Sequence, residues 1–189
     1  MTEQESLQII QSMIEKSKKQ LTDNSKYFLM WGIAVFLCAI LQYILLKNLQ
    51  SGTQKVWLLM PILAIIHIFL SYKDRKKEKV ITYNRNAIGS LWFGLGIGFF
   101  VLIFISFNVS IDIFPYLILF YGIGTFSTGR ILSFKPLIFG GLTCFLLSMV
   151  IIFIQGPEKL LILALSVLLA FIIPAILLKR ENTINNTHR

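Results

Sequence analysis

Six runs of mostly apolar residues, almost free of charge, follow one another along this chain with only short polar links between them. They extend from Tyr27 to Leu46, Val56 to Tyr72, Ile88 to Phe107, Ile113 to Thr128, Leu137 to Ile154 and Leu160 to Leu178. A helix rises 1.5 Å per residue, so roughly 20 apolar residues cover the hydrocarbon core of a bilayer. In hydrocarbon the backbone must satisfy its own hydrogen bonds, which makes each run a helix. A soluble alternative fails on composition: 56% of the residues are hydrophobic and 14% charged, with mean hydropathy +0.73, whereas soluble domains carry roughly a quarter charged residues. The expected fold is therefore all-α, a polytopic membrane bundle of six transmembrane helices. The second and fourth runs are the shortest. The "NVSID" link before the fourth is so brief that the third and fourth helices must form an antiparallel hairpin.

Charge is segregated as strongly as hydrophobicity. With both termini on one side, that side holds 15 of the 18 lysines and arginines, leaving Lys47, Lys55 and Lys159 opposite. The positive-inside rule makes the crowded side cytoplasmic. The densest patch, "SYKDRKKEKV" at 71–80, is the link between the second and third helices, where topology alone calls for basic residues. It accounts for much of the net charge of +9 without nucleic acid, since no helix-turn-helix, zinc or RNA-binding aromatic pattern accompanies it. Attraction to anionic lipid headgroups is a second role open to it, worth about 1 kcal/mol per basic residue near the surface. Lys73, Arg75, Lys76, Lys77, Lys79 and Arg85 are the contacts expected from this link.

Residues 1–26 read differently. Leu7, Ile10, Ile14 and Leu21 recur at helical spacing, with Ile9 and Met13 widening the stripe. Thr2 and Glu5 fit a capping box, and Glu15 with Lys19 a favourable i,i+4 pair. The reading is an amphipathic cytoplasmic helix that packs on the bundle or binds a cytosolic partner, separated from the first span by a break at "TDN", 22–24. These residues show no apolar core or cleavage site of a signal peptide, so the first span itself serves for insertion. Residues 179–189 form a short cytoplasmic tail.

Within the spans, ionisable residues are the usual pointer to function, and His67 is the intramembrane polar candidate. Its default role is a neutral histidine bonded to a neighbouring helix. His188 lies in the tail, and Cys38 and Cys144 sit in separate apolar runs without ligand spacing, so no metal site, disulfide or cofactor is expected. Asp112 and Pro115 suit the start of the fourth helix, and no second carboxylate accompanies Asp112 for acid–base work. No phosphate loop, nucleophile elbow or zinc motif occurs. The chain is not expected to be an enzyme.

Small residues are more informative. Gly94 and Gly98 form G-x-x-x-G in the third span, Gly124 and Thr128 a stripe in the fourth, and Gly140, Cys144 and Ser148 another in the fifth. Such stripes let helix backbones approach closely, within one chain or in a homo-oligomer. "LMWG", "LWFG" and "LIFGG" open the odd-numbered spans, a weak repeat compatible with three parallel hairpins. In "YGIGTFSTGRILSFKPLIFGG", residues 121–141, Arg130 and Lys135 beside glycines and hydroxyls suit a lipid headgroup. Alternatively, Gly129 ends one helix and Pro136 starts the next.

The segments "ESLQIIQSMIEKSKKQLTDNSKYFLMWG", "KEKVITYNRNAIGSLWFGLGIG", "YGIGTFSTGRILSFKPLIFGG" and "FIIPAILL" together resemble a family of uncharacterised small six-span inner-membrane proteins of Bacteroidota-type bacteria. The resemblance implies a multi-pass protein of the cytoplasmic membrane acting with a cytosolic regulator, and carries over no reaction or catalytic residue. The function expected is a membrane scaffold or sensor whose basic cytoplasmic face meets lipid headgroups or a partner. The alternative is a small transporter or channel for an apolar or weakly polar solute, with Pro61 and Pro174 as kinks and a polar cavity around Gln42, His67, Thr143 and Ser166.

Overall fold

The computed structural model describes the backbone of residues 3–48, 52–77 and 83–187. Side chains before residue 26, after residue 180, and at 75, 77 and 83 lie outside the described set. Seven α-helices account for most of it: α1 (Glu3–Asn48), α2 (Leu59–Lys77), α3 (Tyr83–Asn108), α4 (Phe114–Leu132), α5 (Lys135–Val150), α6 (Lys159–Val167) and α7 (Ile173–Thr187). There is no strand among the described residues. A 3₁₀ segment, Thr53–Leu58, leads into α2, and a π-turn, Leu168–Ile172, joins α6 to α7 without interrupting the helical path.

Five stretches are long and apolar enough to cross a membrane: Lys26–Asn48, Thr53–Asp74, Asn84–Asn108, Lys135–Phe153 and Gly156–Arg180. Helix α4 is not among them. Its second half, Gly122 to Arg130, is rich in glycine and hydroxyl residues, and it compensates by packing more closely on α5 than any other pair of helices does. Two ion pairs mark the ends of the bundle. Lys26 meets Asp74 where α1 enters and α2 leaves, and Asp112 meets Lys159 across the α3–α4 and α5–α6 links. The first of these ends, which also carries Arg130 and Lys135, is called the basic end below.

Glycine sets the closest approaches. A Cβ at Gly141 would lie 2.6 Å from the backbone nitrogen of Phe126, and one at Gly129 would lie 2.7 Å from that of Ile138. The α4–α5 hairpin is therefore backbone against backbone at both places, the arrangement that small residues permit between membrane helices. Gly140 of α5 lies against the Leu169 carbonyl and the Ala170 Cα, and Gly32 of α1 against the Phe171 Cβ. Both press on the π-turn from different helices. The cause of that turn is Pro174: it has no N–H to offer the carbonyl four residues earlier, at Ala170, and widening to a π-turn re-registers the ladder there. Ile118, Leu137, Ile151, Leu160, Leu163 and Leu178 belong to the hydrophobic core and are almost wholly buried.

Several expectations are corrected. Helix α1 runs through 22–24 without a break, because Thr, Asp and Asn each lower helix propensity by only a fraction of a kcal/mol while a break forfeits backbone hydrogen bonds. Thr2 of the supposed capping box lies outside the described residues. Gly129 does not end α4, which continues to Leu132 and closes at Ser133, φ 53°. Pro61 sits in the first turn of α2, where no kink is required. Gly94 faces outward: a Cβ there would meet nothing within 4 Å, so it is no packing glycine within this chain. Of the three supposed repeat glycines, only Gly32 and Gly140 share a partner, the π-turn.

These contacts predict opposite responses at two glycines. Gly141→Ala should lower stability by about 1–3 kcal/mol through overpacking against backbone. Gly94→Ala should be neutral or stabilising by up to about 1 kcal/mol through helix propensity. Thermal unfolding of the purified protein in one detergent distinguishes them, and equal effects would refute the packing scheme.

Candidate functional site

Helix α2 stands apart from the rest. None of its described residues is buried, and Ile62, Ile65, Ile66, Ile68, Phe69 and Leu70 are all exposed along it. Its neighbours are α1 and its own leading 3₁₀ segment. Met60 near its start packs against the core, and hydrogen bonds tie the stretch that begins at Thr53 to α1 near both of its ends.

The contact at the basic end follows from helical spacing. His67, Ser71 and Asp74 lie at i, i+4 and i+7 on one stripe of α2, and Tyr27 and Trp31 lie at i and i+4 on the facing stripe of α1. The Trp31 indole N–H donates to His67 Nδ1 at 3.2 Å. Ser71 Oγ is 3.3 Å from His67 Nε2. The Tyr27 phenol donates to Asp74 Oδ2 at 2.6 Å. Lys26 pairs with the same carboxylate oxygen. The Tyr27 and His67 rings meet edge to face with centroids 4.7 Å apart. Six side chains from two helices thus form one connected polar cluster, each of them only partly covered by protein or exposed.

At the opposite end Trp57 donates to Gln42 Oε1 at 2.5 Å, and Cys38 Sγ lies 3.7 Å from the Val56 carbonyl. Gln42 is therefore far along α1 from His67. Thr143 donates to the Gly140 carbonyl and Ser166 to the Leu163 carbonyl, each at 2.7 Å. Thr125 and Thr128 donate in the same way to Tyr121 and Gly124. Of the four residues suggested as a polar cavity, Gln42 and His67 are bonded to Trp57 and Trp31 toward opposite ends of the Lys26–Asn48 span of α1, and Thr143 and Ser166 are bonded within their own helices.

The other anticipated positions are distributed as follows. Lys73 and Lys76 are exposed on α2, with the Lys76 ammonium 4.8 Å from the Tyr72 ring centroid. Arg85 is half-buried at the start of α3. The side chains of Arg75 and Lys77, and Lys79 altogether, lie outside the described residues. Arg130 and Lys135 are exposed on the α4–α5 turn. That turn is rigid: Phe134 N–H donates to the Gly129 carbonyl at 2.9 Å and Ser133 N–H to that of Arg130 at 3.3 Å, while the Phe134 ring is buried. Gly98 lies against Phe120 and Gly124 against Trp92, whose indole donates to Thr128 at 3.1 Å. Ser148 is buried and donates to the Phe145 carbonyl. Asp112 accepts from the Phe114 N–H and pairs with Lys159. No three His, Cys, Asp or Glu side chains converge as a metal site among the described residues.

Sequence reasoning singled out His67 but not its partners Tyr27, Trp31, Ser71 and Asp74. The available signal was the 4 and 3 spacing of His67, Ser71 and Asp74, which was obscured because Asp74 reads as one charge within a basic link. No family model matches the chain, and no curated protein or solved structure matches it.

Replacing the histidine tests the cluster. At neutral pH His67→Leu should cost about 1–3 kcal/mol, the penalty for stranding the Trp31 donor. His67→Gln, whose carbonyl can accept the same bond, should cost less than half as much. Equal losses by thermal unfolding would show that the hydrogen bond contributes nothing.

Proposed function

We propose that this chain is a six-span protein of the bacterial cytoplasmic membrane with both termini in the cytoplasm. In this reading it performs no catalysis and acts as a membrane scaffold or sensor whose basic face contacts anionic lipid headgroups. One observation carries the reading: the asymmetry of charge between the two ends of the bundle. Lys26, Lys73, Lys76, Arg130, Lys135, Lys179 and Arg180 are exposed at one end, with the half-buried Arg85, against Lys47, Lys55 and Lys159 at the other. Such an asymmetry is the signature of a cytoplasmic face, and basic side chains at that depth are drawn to anionic headgroups. The rigid α4–α5 turn holds Arg130 and Lys135 in fixed positions beside the bundle, which favours a headgroup contact over a purely topological role. The local bonding of the interior hydroxyl groups supports a scaffold over a solute path. The amphipathic stripe from Leu7 to Leu21 offers a second surface, for a cytosolic helix.

The test is lipid retention. Wild-type protein extracted in mild detergent should keep anionic phospholipid, read by native mass spectrometry. The combined Lys73→Gln, Lys76→Gln, Arg130→Gln and Lys135→Gln variant should keep several-fold less. Lys47→Gln with Lys55→Gln, at the other end, should change nothing. Equal retention in all three proteins would remove the headgroup role.

A further inference from the structure

The direction of every hydrogen bond around His67 is determined by its neighbours. An indole N–H can only donate, so the Nδ1 that receives it from Trp31 at 3.2 Å must carry a lone pair. The ring is then neutral with its proton on Nε2, directed at Ser71 Oγ. Tyr27 meets the ring edge to face and donates to Asp74, whose charge is met by Lys26. The Trp31 N–H has an acceptor on the ring only while His67 is uncharged.

We propose that His67 and Trp31 form a proton-sensitive latch that holds the basic-end half of α2 against α1 and releases it on acidification. Histidine is the side chain whose charge changes near neutral pH. A second proton must go to Nδ1, where it faces the Trp31 N–H. Two donors then oppose each other, and turning the imidazolium ring restores no acceptor. The titratable groups on the two facing stripes are the neutral Tyr27 phenol, edge to face with the ring, and the charged pair of Lys26 on α1 and Asp74 on α2. Asp74 is already paired with Lys26, so the imidazolium gains little from the carboxylate and is repelled by the ammonium. The sign follows: the latch is complete above the histidine's titration and is lost as pH falls through it.

The place of α2 in the fold turns this local event into movement. No described residue of α2 is buried, so this cluster is its attachment at the basic end. At the other end it stays clipped by Trp57 to Gln42, next to Gly52, whose φ of 76° marks a backbone bend. Release swings α2 about that end and carries Lys73 and Lys76 away from Lys26. The latch rests on the geometry of the two helices and stands whether or not the basic face binds lipid.

Spin-label distances test it on the full-length protein in a neutral-lipid membrane. Cys38 and Cys144 are replaced by Ala, and labels are placed at Ile33→Cys on α1 and Tyr72→Cys on α2, both exposed positions. Between about pH 8 and about pH 5, the ratio of longer to shorter distances should rise reversibly by about fivefold, as expected for losing one hydrogen bond of ordinary net strength. His67→Gln, which accepts from Trp31 but does not titrate, should keep the short distance at both pH values. Trp31→Phe should show the longer distance at both. An unchanged distribution in the otherwise wild-type protein, or the same pH response in His67→Gln, would overturn the proposal; the second result would assign the response to another group such as His188.

Discussion

Polar groups among apolar side chains must find their partners inside the protein, and the architecture is organised around that requirement. Its clearest expression is the π-turn at Leu168–Ile172. Pro174 cannot serve the carbonyl of Ala170, so the helix widens there, and α1 and α5 come up against the altered backbone through Gly32 and Gly140. A side chain at either glycine would hold the helices apart. The same requirement accounts for the interior hydroxyls: Thr125, Thr128, Thr143, Ser148 and Ser166 each donate to a carbonyl of their own helix. The middle of the bundle is bonded within itself, and its helices meet through apolar and backbone surfaces.

Two modes of association result. Helices α1, α4, α5, α6 and α7 contribute buried side chains to one apolar core. Such contacts lose dispersion energy steeply as surfaces separate, which makes this part rigid. Helix α2 has almost none of this and is tied by side-chain hydrogen bonds and an ion pair at its ends. Polar ties depend on protonation and ionic strength; packing does not. The difference between the packed core and α2 lies in the kind of contact each makes.

The basic end brings the two parts together. Arg130 and Lys135 flank the α4–α5 turn that the buried Phe134 closes, while Lys73 and Lys76 stand on α2. The ion pair between Asp112 and Lys159 at the other end joins two links directly and leaves that end with few cations.

Much of this was legible in the residues themselves. The apolar runs, their approximate limits and the uneven distribution of lysine and arginine follow from composition and spacing, because the cost of exposing backbone or charge to hydrocarbon is local and acts on each segment separately. The closeness of Gly124 and Gly140 to neighbouring helices was also legible as small-residue spacing. What the sequence could not determine was which small residues face a partner. Gly94 and Gly98 share one motif and one helix face, yet only Gly98 has a neighbour within 4 Å, Phe120. Nor could it show that α1 continues through 22–24, or that Gln42 and His67 belong to different ends. The pairing of His67 with Trp31, and of Tyr27 with Asp74, required the tertiary structure: residues about 36 and 47 positions apart are brought together by the antiparallel setting of α1 and α2. Local pattern specifies the helices and the charge on their ends, whereas the rotation of each helix about its axis is decided only when neighbouring surfaces meet.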